Sequence, residues 1–493
     1  MADFTLTPSI RAPSVSRVPM ISIGVVAALA MVWILDGGSL IPFLVILGAA
    51  GLVGLIWAAG FTRSRPEWLI VALLLTPELI AINAFEGPMR QVLHFGLIFL
   101  FCIPMVPTMV RSGLLKQGGF RLYLIFFAWS GLTVIWSLAP AYSIGRLAES
   151  VVLFAALGSI ALKVNQPRDF DKVLGHYLIA CAVVVAMMGA SAVLLPRSIT
   201  WAVPVLAADG VERFKSVFSG PNEVGGVMLF TVGPAILYWN KVSRFKKILL
   251  AVMMAIAVGC TALADSRSPF VGLGAGCLGY VLWRYRLRGV LVLGVLGVLG
   301  IGVALLFGKN LVADYVQRGD VTTLTGRTEL WQFVIASIKA NPIMGYGYQT
   351  AGAIFGSKYF PIWWGPWDLG PQSSIHNEYL NHMVGVGVPA TILWVFIIVR
   401  PWVSIFREKE DPWHLKAATF LIAIPLLIDS LTEAAIGDFA GLPGVTFGLF
   451  WVIAERYRIM MIARRETERV ENEALVPSGI MAVRPLRVGN RVS

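Results

Sequence analysis

The chain has 493 residues, 57% of them hydrophobic and 14% charged, with a mean hydropathy of +0.76. Soluble domains carry about a quarter charged residues, so this composition excludes a soluble enzyme and predicts an all-α integral membrane protein. The net charge of +12 would suit a nucleic-acid binder, but the basic residues lie in alternate loops between apolar runs, and no nucleic-acid partner is expected.

Taken in chain order, stretches long enough to cross a bilayer lie near 19–35, 39–60, 67–85, 91–110, 120–140, 143–162, 173–195, 223–239, 247–264, 269–283, 288–308, 377–399, 416–435 and 441–455. They predict about 12 to 14 transmembrane helices, and the two runs flanking Asp265 to Ser268 could form one broken hairpin. The expected organisation is a tail over 1–18, a helix bundle over 19–308, a large periplasmic loop over 309–376, further helices over 377–455 and a second tail over 456–493. Residues 1–18 are rich in Ser and Pro, and the first apolar run continues past Ala30 into MVWIL, which reads as a retained helix rather than a cleaved signal.

Alternate loops contain Arg63 and Arg65; Arg111, Lys116 and Arg121; Lys163, Arg168 and Lys172; Lys241 to Lys247; Arg284 to Arg288; and Arg400 to Lys416. The loops between them are poor in cations. This positive-inside pattern predicts both termini in the cytoplasm. The tail after Tyr457 has the mixed charge of a short helix lying on anionic lipid, followed by a Pro- and Gly-containing disordered end. Cys102, Cys181, Cys260 and Cys277 all lie inside apolar runs without metal-ligand spacing, and read as small core residues.

Two outer loops are long, 196–222 and 309–376, and function is expected there. Within the second, TGRTELWQFVIASIKANP predicts an amphipathic helix lying on the membrane. Thr325 or Gly326 caps it, Glu329 complements its dipole, and Leu330, Val334 and Ile338 form its apolar face with Trp331 and Ile335 beside them. The stretch that follows, GYGYQTAGAIFGSKYFPIWWGPWDLGPQSS, has the composition of an interfacial aromatic belt or a platform for sugar rings.

Four basic residues fall on the outer side, where cations should be scarce: Arg213, Arg267, Arg327 and His376. Guanidinium forks match phosphate oxygens in a bidentate way, so converging arginines can hold a diphosphate without a metal or other cofactor. The simpler alternative for Arg267 is an ion pair with Asp265 or contact with lipid phosphate. His376 begins the stretch HNEYLNHMVGVG and is the natural proton acceptor; the simpler alternative is a capping or interfacial histidine. Glu378 and His382 are spaced to pair, and Asn377 and Asn381 share a helix face from which they could bond sugar hydroxyls or neighbouring helices. Arg146 and Glu149 read as an internal ion pair, and Asp429 and Glu433 as an acidic pair at the outer end of their helix.

Four pieces in order resemble the O-antigen ligase and Wzy-type polymerase superfamily. They are Arg213 followed by FKSVFSGPNEVGG, SRS at 266–268, TGRTELW with NPIMGYGY, and HNEYLNHMVGVG. The resemblance covers roughly residues 200–400. It implies a glycan transferase that is inverting and metal-independent and uses an undecaprenyl diphosphate donor on the periplasmic face. By matched position, Arg213 and Arg267 would bind the diphosphate, Arg327 would join them in positioning the substrate or would support the loop, and His376 would activate the acceptor hydroxyl. Asn222, Asn377, Glu378, Tyr379 and Glu433 are supporting candidates. The sequence departs from many relatives at Gly385, where they place a glutamate nine residues after the histidine, so Glu378 or Glu433 is the candidate replacement. The implied function is polymerisation of exopolysaccharide or O-antigen repeat units, with O-antigen ligation as the alternative within the family and a polysaccharide-intermediate transporter or flippase as the alternative of another class. Implied partners are the lipid-linked oligosaccharide, membrane lipid, and chain-length regulator or export proteins.

Overall fold

A computed structural model describes residues 68–71, 73–74, 88–202, 212–218, 220–307, 327–356, 375–409, 411, 413–433, 436–437 and 441–474. The expected N-terminal spans, the start of the amphipathic helix at Thr325 and Gly326, the Trp-rich stretch 357–374 and the C-terminal end lie outside them.

The described residues are an all-α membrane protein. Helices α1 (Pro88–Cys102), α2 (Val106–Arg111), α3 (Gly118–Thr133), α4 (Pro140–Ala161) and α5 (Pro167–Leu194) lead to a two-residue bridge between β1 (Trp201–Ala202) and β2 (Arg213–Phe214). Then come α6 (Pro221–Tyr238), α7 (Arg244–Leu263), α8 (Ser268–Phe307), α9 (Arg327–Ala340), α10 (Glu378–Val386) and α11 (Val388–Phe406). Leu415–Ala418, a π-helical turn over Thr419–Ala423 and Ile424–Asp429 run on as α12, and α13 is Leu442–Ala474. Five helices among the described residues are long and apolar enough to cross a bilayer: Gly118–Trp136, Pro140–Ala161, Pro167–Leu194, Arg244–Leu263 and Val388–Phe406.

The centre is α6. Val224 to Ala235 are buried on every side, as expected of a helix with no polar face, and α5, α7, α8 and α13 pack around it. Small residues set the closest approaches. A Cβ at Gly272 or Gly276 of α8 would overlap carbonyls of α12, and one at Gly233 of α6 would overlap the carbonyl of Leu421 in the π turn. This is the small-residue packing that lets membrane helices touch backbone to backbone. A second centre is aromatic: Phe120, Tyr123 and Phe154 meet Trp451 of α13, and Phe127 packs behind them on Tyr123 and Phe154. Cys102, Cys181 and Cys260 are buried and Cys277 is half-buried, all of them free thiols as the sequence suggested.

The structure corrects three expectations. The run 377–399 is two helices, separated at Gly387, whose φ of 85° lies in the region glycine favours. Breaking a helix within an apolar run leaves backbone groups to satisfy. The NPIMGYGY loop does this: Tyr346 N donates to Val384 O at 2.8 Å, Gly347 N to Gly385 O at 2.9 Å, and Val388 N to Pro342 O at 2.8 Å.

The second correction concerns the same loop. Tyr346 and Tyr348 belong to neither belt nor platform, since both are buried; their hydroxyls bond Ser337 O and the Ser150 hydroxyl.

Third, the amphipathic helix α9 does not present its apolar face outward. Val334 and Ile338 pack with Tyr346, Ile354, Ile375 and Val384, while Leu330 is half-buried beside them and Ile335 is exposed. Trp331 Nε1 donates to Ile375 O at 2.9 Å, which ties α9 to the residue preceding His376.

Candidate functional site

The predicted cations fall in two groups, each built on a carboxylate. In the first, Glu433 lies in the turn after α12 and gathers three chain segments. Arg327 Nη2 donates to its Oε1 at 2.7 Å, Asn222 Nδ2 donates to the same oxygen at 2.9 Å, and His376 Nδ1 lies 2.9 Å from Oε2. Arg327 Nη1 also donates to Thr432 O at 2.6 Å. In the second group, Asp265 lies between two arginines, with Arg213 Nε at 3.9 Å and Arg267 Nε at 3.5 Å. The simpler alternative considered for Arg267, a pair with Asp265, is therefore present, and that one carboxylate faces two guanidinium groups.

Both groups sit at helix N-termini. Asn222 is in the first turn of α6, Arg267 precedes Ser268 at the start of α8, Arg327 opens α9, and His376 precedes α10. The ends of α6 and α8 touch, since a Cβ at Gly225 would overlap the Ser266 side chain, and the Ser268 side chain reaches the Asp429 carboxylate four residues before Glu433. The positive ends of helix dipoles thus lie beside the arginines, an arrangement that favours a polyanion.

His376 is held in an uncommon conformation. Its φ of 52° puts a non-glycine residue in the left-handed region, at a cost of about 1 to 3 kcal/mol that persists only where the surroundings impose it. The next three residues supply that constraint. Asn377 Nδ2 donates to Leu431 O at 2.9 Å, Glu378 N to Ser430 O at 2.9 Å, and Tyr379 OH to Leu427 O at 3.0 Å. Asn377 Oδ1 also accepts from Leu380 N and caps α10. These contacts lace the start of α10 to the turn that carries Glu433.

The rest of HNEYLNHM turns inward. Asn377 spends both ends of its amide on protein, the second of the two roles expected of it, and Asn381 is buried. Glu378 and His382 do face each other at 3.6 Å, but inside the core, where His382 packs against Trp394, Phe126 and Tyr348. Arg146 and Glu149 form the expected internal pair at 2.6 Å. The exposed end of the cluster is His376, whose side chain is 40% accessible.

Gly385 also acquires an explanation. A Cβ there would come within 3.0 Å of Gly347 O, and its own carbonyl already accepts from Gly347 N. The GYGY loop crowds any side chain at this position, and Glu433 supplies the carboxylate beside the histidine from the turn after α12. Sequence reasoning named Glu433 only as a supporting candidate. It missed that Asp265 engages Arg213 as well as Arg267, because the two arginines are 54 residues apart and only the fold brings them together.

Residues 225–395 match the family described as O-Antigen ligase. That segment includes Arg267, Arg327 and His376. Among curated proteins, the chain is 24% identical over 394 residues to the exopolysaccharide production protein ExoQ of Rhizobium meliloti, covering 75% of this chain and 85% of that protein. It is also 24% identical over 310 residues to the O-antigen ligase of Pseudomonas aeruginosa, covering 62% of this chain and 70% of that one. The chain therefore carries a segment that matches the O-Antigen ligase family and is similar over most of its length to an exopolysaccharide production protein, in keeping with a multi-pass membrane protein.

Proposed function

We propose that this protein polymerises exopolysaccharide repeat units, transferring glycan from an undecaprenyl diphosphate donor to the hydroxyl of an acceptor glycan at the periplasmic face of the inner membrane. The observation that carries the reading is the His376–Glu433 pair placed among helix N-termini and next to a doubly arginine-flanked Asp265. A carboxylate on Nδ1 orients the imidazole so that Nε2 is the basic nitrogen, the arrangement by which a histidine serves as general base. In the transfer, the acceptor oxygen attacks the anomeric carbon of the donor sugar while its proton passes to His376. A new C–O bond forms, the bond from that carbon to the phosphate oxygen breaks, and the electron pair leaves with the diphosphate. A single displacement inverts the anomeric centre.

Arg213 and Arg267 neutralise the departing charge, aided by the helix ends. Arg327 acts through Glu433 and Thr432 and is a positioning residue in this scheme. Protein residues supply both the base and the charge stabilisation, so the scheme calls on no metal. The exopolysaccharide production protein, matched over more of both chains than the O-antigen ligase, supports exopolysaccharide as the glycan in this reading.

Glycan analysis of a deletion strain tests the assignment. Loss of long chains with single repeat units still present on their lipid carrier is the expected result. Loss of all glycan from lipid A core, with polymer still made, would replace polymerisation by ligation. Loss of polymer with repeat units stranded on the cytoplasmic face would replace transfer by transport.

A further inference from the structure

The segment joining α5 to β1 protrudes. Residues 192–199 are all exposed, and they include Val193 at 82%, Leu194 at 76%, Leu195 at 39% and Ile199 at 45% accessibility. Arg197 sits in their midst, with its guanidinium 4.7 Å over the ring of Trp201, and no carboxylate pairs with it among the described residues. A cation surrounded by exposed apolar side chains is stable where hydrocarbon meets lipid phosphate.

Backbone hydrogen bonds stitch this tip to the strand that carries Arg213. Lys215 N and Ser216 N donate to Thr200 O at 2.8 and 3.1 Å, Trp201 pairs with Phe214 and Ala202 with Arg213, and the Trp201 and Phe214 rings lie 5.8 Å apart. Arg197, Lys215, Arg213 and, across Asp265, Arg267 therefore follow one another from the apolar tip to the candidate site. Glu212 and Glu223, the other described carboxylates of this stretch, are exposed. A dianionic group moving along the line meets a cation at each step.

We propose that Arg197 and Lys215 form a capture site for the diphosphate of a polyprenyl lipid. The headgroup is taken up at the membrane surface while the tail stays against Leu194, Leu195 and Ile199, and the diphosphate then passes to Arg213 and Arg267. The identity of the lipid rests on the glycan-transfer reading; the site itself rests on the exposed apolar tip and the order of the cations. Neither residue touches the reacting atoms, so both govern substrate uptake rather than chemistry.

The test uses the full-length protein in nanodiscs and measures its affinity for undecaprenyl diphosphate in a background of phosphatidylglycerol. Arg197→Gln with Lys215→Gln should weaken binding of the diphosphate lipid about tenfold, as loss of charge-assisted contacts predicts, and should leave phosphatidylglycerol binding unchanged. The charge-preserving pair Arg197→Lys with Lys215→Arg should restore most of the affinity, which separates lost charge from lost fold. Unaltered affinity in the glutamine variant overturns the capture site, and so does an equal loss for both lipids, which marks a general lipid contact. Wild-type protein that binds the lipid diphosphate through these residues but transfers no glycan overturns the proposed function and leaves the capture site standing.

Discussion

Glu455 and Glu433 each hold an arginine, and they do so in different settings. Glu455 is fully buried in α13; Arg458, one turn on, bonds both its oxygens at 2.6 and 2.7 Å, and Gly119 N donates to it at 2.5 Å. Every partner is protein, the pair is local on one helix, and the extra donor is the otherwise unsatisfied N-terminus of α3. Glu433 instead draws Asn222, Arg327 and His376 from three distant segments, and the last of these reaches solvent. A closed ion pair braces a helix junction. An open one, assembled across the fold and ending on an accessible imidazole, can meet a substrate.

The comparison is sharpest at His376. Replacing it with Ala should lower the rate of chain growth by about 10²- to 10⁴-fold, the usual contribution of a general base, with protein still present in the membrane and lipid-linked single repeats accumulating. Arg267→Ala should give a loss of similar size by removing charge stabilisation. Quantifying both lipid-linked repeats and polymer checks this, and normal polymer from both variants would end the catalytic assignment.

Glu433→Gln comes next. The amide keeps the shape but cannot hold the imidazole and Arg327 as a carboxylate does, so the maximal rate should fall about 100-fold while donor affinity changes little. That split between rate and affinity is what a merely structural carboxylate would not give. For Glu455→Gln the expectation is reversed. Breaking a buried ion pair leaves Arg458 without its counter-charge and costs about 3–5 kcal/mol of stability, read as a lowered unfolding midpoint in detergent, while activity per folded molecule stays near wild type. A large loss of turnover in folded Glu455→Gln protein would collapse the distinction between the two carboxylates.

Much of this was legible in the sequence because membrane chemistry writes itself plainly there. A polar residue at the edge of an apolar run is costly, so Arg213, Arg267, Arg327 and His376 could be picked out one at a time. Pairings were harder. Arg146 with Glu149 was readable from helical spacing, whereas Glu433 with His376 spans 57 residues and depends on how α10 meets α12. The break at Gly387 was hidden because an apolar run gives no periodicity signal where it is interrupted, and the partners that satisfy the broken backbone come from a different loop. The apolar face of α9 was visible, but what covers it was not, since lipid and a neighbouring helix select the same residues.

The smallest expected effect lies at Asn377, and it isolates the tether between α10 and the turn carrying Glu433. Its Oδ1 caps α10 through Leu380 N and its Nδ2 donates to Leu431 O. Asn377→Asp keeps an acceptor for the cap and adds a favourable charge at the helix N-terminus, but it removes the donor and sets a carboxylate against a carbonyl. Asn377→Ala removes both functions and should cost about 1 kcal/mol in stability. If the tether holds Glu433 in line with His376, the Asp variant should unfold at the wild-type midpoint yet turn over a few-fold more slowly, and the Ala variant should be impaired in both measurements. Equal turnover in Asn377→Asp and wild type would mean that Glu378 and Tyr379 hold the turn without it, and the constraint on His376 would then rest on their bonds to Ser430 and Leu427.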